Sequence, residues 1–192
     1  NVNNGGPELF FRNNARFSHP GQISDQPVSP INRNSNESFQ KGFYMKRPFT
    51  AIPGFGNYTD SVRINSNEPL TDLNLFVSIN HQNLNDLFIY LIAPNGDSVR
   101  VFNNNSPGSL DNNLITVFDD NADSSLVSNR YNSFYTKVKP SENMGSIFNG
   151  DNPRGQWKLS INDMENGNTG ILYSWGIQIN NHSERDKNLN LK

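Results

Sequence analysis

The chain has 192 residues, enough for one domain and an appendage, with 33% hydrophobic residues and a net charge of −2. Thirty-four asparagines, 14 glycines and 11 prolines stand where a helical bundle would need alanine, glutamate and lysine, which excludes that class. The balanced charge without a Lys/Arg run argues against nucleic acid and anionic membranes as partners; the lack of cysteine excludes disulfides, thiolate zinc and a cysteine nucleophile; no apolar stretch reaches the ~20 residues of a membrane span.

The sequence starts at Asn1 with neither an initiator methionine nor a signal-peptide apolar core, so it reads as a processed product or an excised segment. Residues 1–48 mix polar clusters with isolated aromatics (Phe10, Phe11, Phe17, Phe39, Phe43, Tyr44) and hold neither a strand nor a helix period. They read as an irregular leader, or as an arm whose aromatics dock on the following domain. From residue 49 to 181 the pattern becomes short β segments separated by turn residues, and a polar tail follows over 182–192. Leu73, Leu75, Val77 and Ile79 alternate with polar residues, the period of a half-buried strand, broken only by Phe76. Leu87–Ile92 is continuously apolar, as in a strand covered on both faces. Ala93-Pro94-Asn95-Gly96-Asp97 then predicts a hairpin, with Asn95 and Gly96 both suited to the positive φ of a mirror-type turn. Further strands are predicted over 99–102, 114–118, 135–138, 157–161 and 171–179. In the last, Ile171, Tyr173, Trp175, Ile177 and Ile179 are expected to share one face. No segment keeps a helical stripe for three turns, so the chain is predicted to be all-β, an antiparallel two-sheet sandwich or barrel.

Catalytic signatures are missing: there is no Gly-x-Ser-x-Gly elbow, His-Glu-x-x-His, P-loop or dinucleotide fingerprint. The histidines at 19, 81 and 182 lie far apart. A Ser-His-Asp triad built on His81 would need a distant serine and aspartate; a surface or hydrogen-bonded structural histidine is the simpler reading.

An ordered series of motifs runs through the second part of the chain. These are Ile52-Pro53, Ile79-Asn80-His81 through Asn85-Asp86-Leu87, Leu91-Ile92-Ala93-Pro94-Asn95-Gly96 and Phe118-Asp119-Asp120. Then come Phe148-Asn149-Gly150, Gly155-Gln156-Trp157-Lys158-Leu159, Asn162-Asp163, and Thr169-Gly170-Ile171-Leu172 leading to Ser174-Trp175. In this the stretch 49–180 resembles the P domain, or Homo B domain, of subtilisin-like proprotein convertases and secreted bacterial serine proteases. It departs at Asn85, where the family usually has glycine, and at Gly54-Phe55-Gly56, where Asp-Asn is common. The resemblance implies a jelly-roll β-sandwich of the galactose-binding-domain-like kind. It also implies a non-catalytic module beside a catalytic protease domain, secreted or at the cell surface of a bacterium, which supports its neighbour's folding and influences calcium and pH dependence. Similar modules occur on bacterial surface proteins, so a glycan- or protein-binding adhesion module is the alternative, and a free-standing hydrolase is the third.

Two loops carry the residue types that calcium takes, six to eight oxygens from carboxylates, amides and carbonyls. Asp119, Asp120 and Asp123 follow one predicted strand, and Asp86 is expected to converge on the same rim; Asp163, Asn166 and Asn168 form the second cluster. Such residues also cap turns through backbone amides, the competing reading. Trp157, Trp175, Phe118 and Phe148 are expected in the core. Tyr131, Phe134 and Tyr135 near the loops are candidates for contact with a partner, or else pack beneath a long loop.

Overall fold

A computed structural model of the chain describes residues 42–103, 112–123, 125 and 134–180, with the backbone alone for 134–136. Among them are ten strands, a 3-10 turn at Leu84–Asp86 and one short helix, α1 (Gly145–Phe148). One sheet contains β1 (Phe43–Lys46), β10 (Gly170–Ile179), β4 (Leu73–His81), β7 (Asn113–Phe118) and β8 (Phe134–Val138) in that order, with β2 (Thr50–Ile52) also paired to β10. The other runs β3 (Gly56–Ile64), β9 (Gly155–Asp163), β5 (Leu87–Ile92), β6 (Ser98–Phe102). The predicted all-β class with two sheets is therefore what folds.

The alternating residues of both sheets meet in one core. Leu75, Val77 and Ile79 of β4 and Trp175, Ile177 and Ile179 of β10 are buried with Ile89 and Leu91 of β5 and Trp157, Leu159 and Ile161 of β9. Trp157 and Phe148 make an edge-to-face pair with ring centroids 5.1 Å apart. Phe118 is fully buried too, as expected of the four aromatics. Phe76, which breaks the period of β4, faces away from this core and is nonetheless buried.

The structure departs from the sequence reading in five places. The pairing is antiparallel except between β7 and β8, which run parallel; the 15 residues separating them are long enough for the return crossover that parallel neighbours need. The hairpin turn has positive φ at Gly96 but not at Asn95. Ala93 O accepts from Gly96 N at 3.0 Å and Asp97 O from Ala93 N at 2.8 Å, the three-residue loop with a left-handed glycine. A β-bulge between Leu172 and Ser174 flips the phase of β10, so Leu172, rather than Ile171 or Tyr173, joins Trp175 inside. β5 is covered on one face only: Phe88, Tyr90 and Ile92 stay half-exposed on the outer surface. Lastly, strand structure starts at Phe43, inside the stretch read as a leader, because β10 supplies a full register of partners for Phe43–Lys46.

Asp60 sits on the inward phase of β3 with Tyr58, Val62 and Ile64. It spans to the other sheet, accepting from the Trp175 indole Nε1 at 2.8 Å and from Lys46 Nζ. Burial acts to raise its carboxyl, but Lys46, Trp175 and the Ser61 amide outweigh that and hold it below the ordinary aspartate value. The folded state therefore holds this proton less tightly than the unfolded chain. The resulting stability is present above about pH 4 and is lost as pH falls through the lowered folded value. Asp60→Asn is expected to lower stability at pH 7 by roughly 1–3 kcal/mol and to flatten the acid limb of the melting curve. Thermal melts from about pH 2 to 7 check both, and an acid limb as steep as that of the parent chain would contradict the assignment.

Candidate functional site

The aspartates singled out by the sequence fall at opposite ends of the sandwich. Asp119 follows Phe118, which pairs with Leu75 near the start of β4, whereas Asp86 follows the end of β4 and precedes Leu87, the partner of Asp163. Asp86 therefore does not converge with Asp119 and Asp120; it converges with Asp163 and Asn168.

Around the end of β4 these residues form a buried polar cluster. His81, 0% exposed, donates from Nε2 to Asp163 Oδ2 at 2.9 Å. Its Nδ1 faces the carbonyl oxygen of Asn83 at 2.8 Å and the Asn83 amide at 3.3 Å, so it is partnered in either bonding role. Asp163 Oδ1 accepts from Glu165 N at 3.1 Å. Asp86 receives the side-chain amides of Asn83, at 2.6 Å, and Asn168, at 2.7 Å, one on each oxygen. Since His81 ends a strand of one sheet and Asp163 a strand of the other, their bond joins the two layers. Gly170 closes the cluster: a Cβ there would lie 2.4 Å from His81 Cδ2 and 2.5 Å from Asn80 O. Asn166 is exposed at the edge of this loop.

At the opposite end, Asp119 is paired with Lys137 Nζ at 2.8 Å and accepts from Asn121 N at 2.8 Å. Asp120 takes Met144 N at 2.9 Å and Gly145 N at 2.6 Å, one per oxygen, and so holds the first turn of α1. Asp123 is exposed. Tyr131 lies outside the described residues; Phe134 and Tyr135 belong to β8, and their side chains are not described.

Calcium takes six to eight oxygens; here the oxygens of Asp86, Asp120 and Asp163 face N–H donors and Asp119 faces an ammonium, so an ion at either loop competes with these bonds. Among the described residues no three of His, Cys, Asp or Glu gather so as to hold a metal. Asp119 and Asp163 each cap their own turn through an amide two residues on, Asp120 instead reaches the amides at the start of α1, and Asp86 is bound by side-chain amides. Among the described residues both ring nitrogens of His81 are bonded, to Asn83 and Asp163, and neither meets a hydroxyl.

Gly155, at φ +142, would drive a Cβ to 2.6 Å from Pro94, so the hairpin turn and the start of β9 touch. Two residues of this scaffold escaped the sequence reading. Asp60 was signalled by its position on the apolar phase of 58-60-62-64, and Lys137 only by the fold that brings it to Asp119.

Asp163→Ala is expected to leave the His81 N–H buried and unpartnered and to cost roughly 1–3 kcal/mol, and Gly170→Ala roughly 1–3 kcal/mol from crowding. Calorimetry measures both. Millimolar calcium is expected to leave the melting temperature of the chain unchanged; a rise abolished by Asp119→Ala would reinstate a metal at that loop.

Curated protein sequences give no match to this chain. Of solved structures, a serine protease of Aeromonas sobria is similar at 18% identity and TM-score 0.40, over 71% of this chain and 27% of that one. The same protease in complex with a chaperone is similar at 19% identity and TM-score 0.38, over 71% and 26%. The chain thus spans about a quarter of the length of those proteins. The family model of the proprotein convertase P-domain matches residues 70–179. That match covers more than half of the sequence and contains both polar ends of the sandwich, and the chain belongs to the proprotein convertase P-domain family.

Proposed function

We propose that the chain is the accessory P domain of a secreted bacterial subtilisin-like serine endopeptidase. On this reading it has no catalytic role of its own and supports the folding and stability of the protease domain beside it with a jelly-roll body. The observation that carries the reading is the locked state of His81. It is the one histidine among the described residues, and it is fully buried with both nitrogens bonded to Asn83 and Asp163. An imidazole so placed acts as a tie between layers and not as a base toward a nucleophile. The buried carboxylates serve the same end, fixing loops that would otherwise move. A rigid body of this kind can present a fixed surface to a neighbour, which is what an accessory domain contributes. Among the described residues no helix is long and apolar enough to cross a membrane, which is compatible with secretion.

The test is production of the parent protease with and without residues 42–180. Loss of the segment is expected to lower the yield of active protease and shorten its half-life on heating, while the isolated chain leaves peptide substrates uncleaved. Cleavage by the purified chain, or a protease indifferent to the deletion, would refute the accessory role.

A further inference from the structure

The two outer faces of the sandwich differ. On the six-stranded sheet Phe76, Val117 and Ser78 are already withdrawn from water. On the four-stranded sheet Asn57, Thr59, Arg63, Gln156 and Lys158 are exposed, Ser61, Phe88, Tyr90, Ile92 and Asn162 are partly exposed and only Ser160 is buried, and register fixes their arrangement. Asn57 lies opposite Asn162 and Ser61 opposite Lys158, while on the far side of β9 Asn162 faces Phe88, Ser160 faces Tyr90 and Lys158 faces Ile92. A strip of amides and hydroxyls therefore runs beside an apolar column that contains two aromatic rings.

The polar strip is pre-ordered. Asn57 Nδ2 donates to Ser160 Oγ at 2.9 Å, Thr59 Oγ1 donates to Asn57 Oδ1 at 2.8 Å, and Gln156 Nε2 donates to Ser61 Oγ at 2.8 Å. Asn57 Nδ2 also donates to Asn162 Oδ1; the exposed Thr59 and Gln156 and the partly exposed Ser61 keep further bonding capacity toward solvent. The strip from Asn57 to Arg63 is about 20 Å long at ~3.3 Å per residue. Charge is one-sided: Lys158 and Arg63 are exposed and neither has a carboxylate partner among the described residues. Arg100, opposite Tyr90, is paired with Glu142 at 3.1 Å.

We propose that this face binds an extended polysaccharide bearing carboxylate groups. The apolar C–H faces of its sugar rings rest on Phe88 and Tyr90, whose ring faces carry negative quadrupole charge. Its hydroxyls exchange hydrogen bonds with the strip, and its carboxylates meet Lys158 and Arg63, the latter with its two-pronged guanidinium. A folded protein partner fits less well, because protein interfaces are centred on an apolar patch that becomes fully dry, and here the apolar residues occupy a single strand beside a larger polar area. Nucleic acid fits less well again, since two free cations fall far short of the phosphate contacts that drive such binding.

Affinity electrophoresis and calorimetry of the chain in about 150 mM salt test the proposal with polygalacturonate and alginate, dextran sulfate as a sulfated control and dextran as a neutral one. Retardation by a carboxylated polymer is expected. Tyr90→Ala and the pair Lys158→Gln with Arg63→Gln are each expected to weaken it at least tenfold while the chain stays folded at the assay temperature, which circular dichroism checks. No binding to either carboxylated polymer overturns the proposal. So does binding that dextran sulfate matches and Tyr90→Ala leaves intact, which is plain ion exchange, or binding to dextran alone. The outcome is independent of the protease deletion experiment.

Discussion

A carboxylate taken out of water has to be met by hydrogen-bond donors or it forces the surrounding structure apart. In this protein that requirement is what joins the layers. Asp163 ends β9 in one sheet and is met by the imidazole of His81, which ends β4 in the other. Asp60 repeats the arrangement at the side of the sandwich, where β3 of the small sheet reaches the Trp175 indole of β10 and Lys46 of β1. The apolar core between these two bonds is non-directional: it favours layers face to face without fixing their offset. The polar bonds fix it, since each is satisfied only in one register.

The consequence reaches the loops. With Asp163 held, Glu165 N is drawn to it, and Asn168 is placed to reach Asp86. The turn at residues 53–56 lies against the same segment, with Gly167 N donating to Gly54 O at 3.2 Å. Asp120 does the equivalent work at the other end by gripping the first turn of α1. Among the described residues, Asp86, Asp119, Asp120 and Asp163 are thus bonded to donors of the chain itself.

Much of the architecture could be read from residues that act locally. Strand β4 announces itself by alternation, and the hairpin by Pro94-Asn95-Gly96, because a turn depends on its own few residues. What escaped was non-local. Strand β1 has no pattern of its own and exists through its pairing with residues 175–178. The bulge at Tyr173 reverses the phase of β10, and a one-residue slip exchanges every side chain between faces, so strict alternation put Ile171 and Tyr173 on the wrong side. The candidate site was legible only as a set of residues: Asp86, Asp163 and Asn168 could be nominated by type. Their joining to His81, and their separation from Asp119 and Asp120, required knowing which strand ends lie at which end of the sandwich.

Among the described strands β10 comes last in the sequence, yet it pairs with β4 on one side and with both β1 and β2 on the other. A growing chain emerging from the ribosome therefore lacks the β10 partner of the β4 edge until Ile179 has been made. Pairings of such long sequence separation form slowly, and unpaired strand edges invite aggregation in the interval. The completed sandwich is reached only by a chain that stays unassociated until β10 has been made.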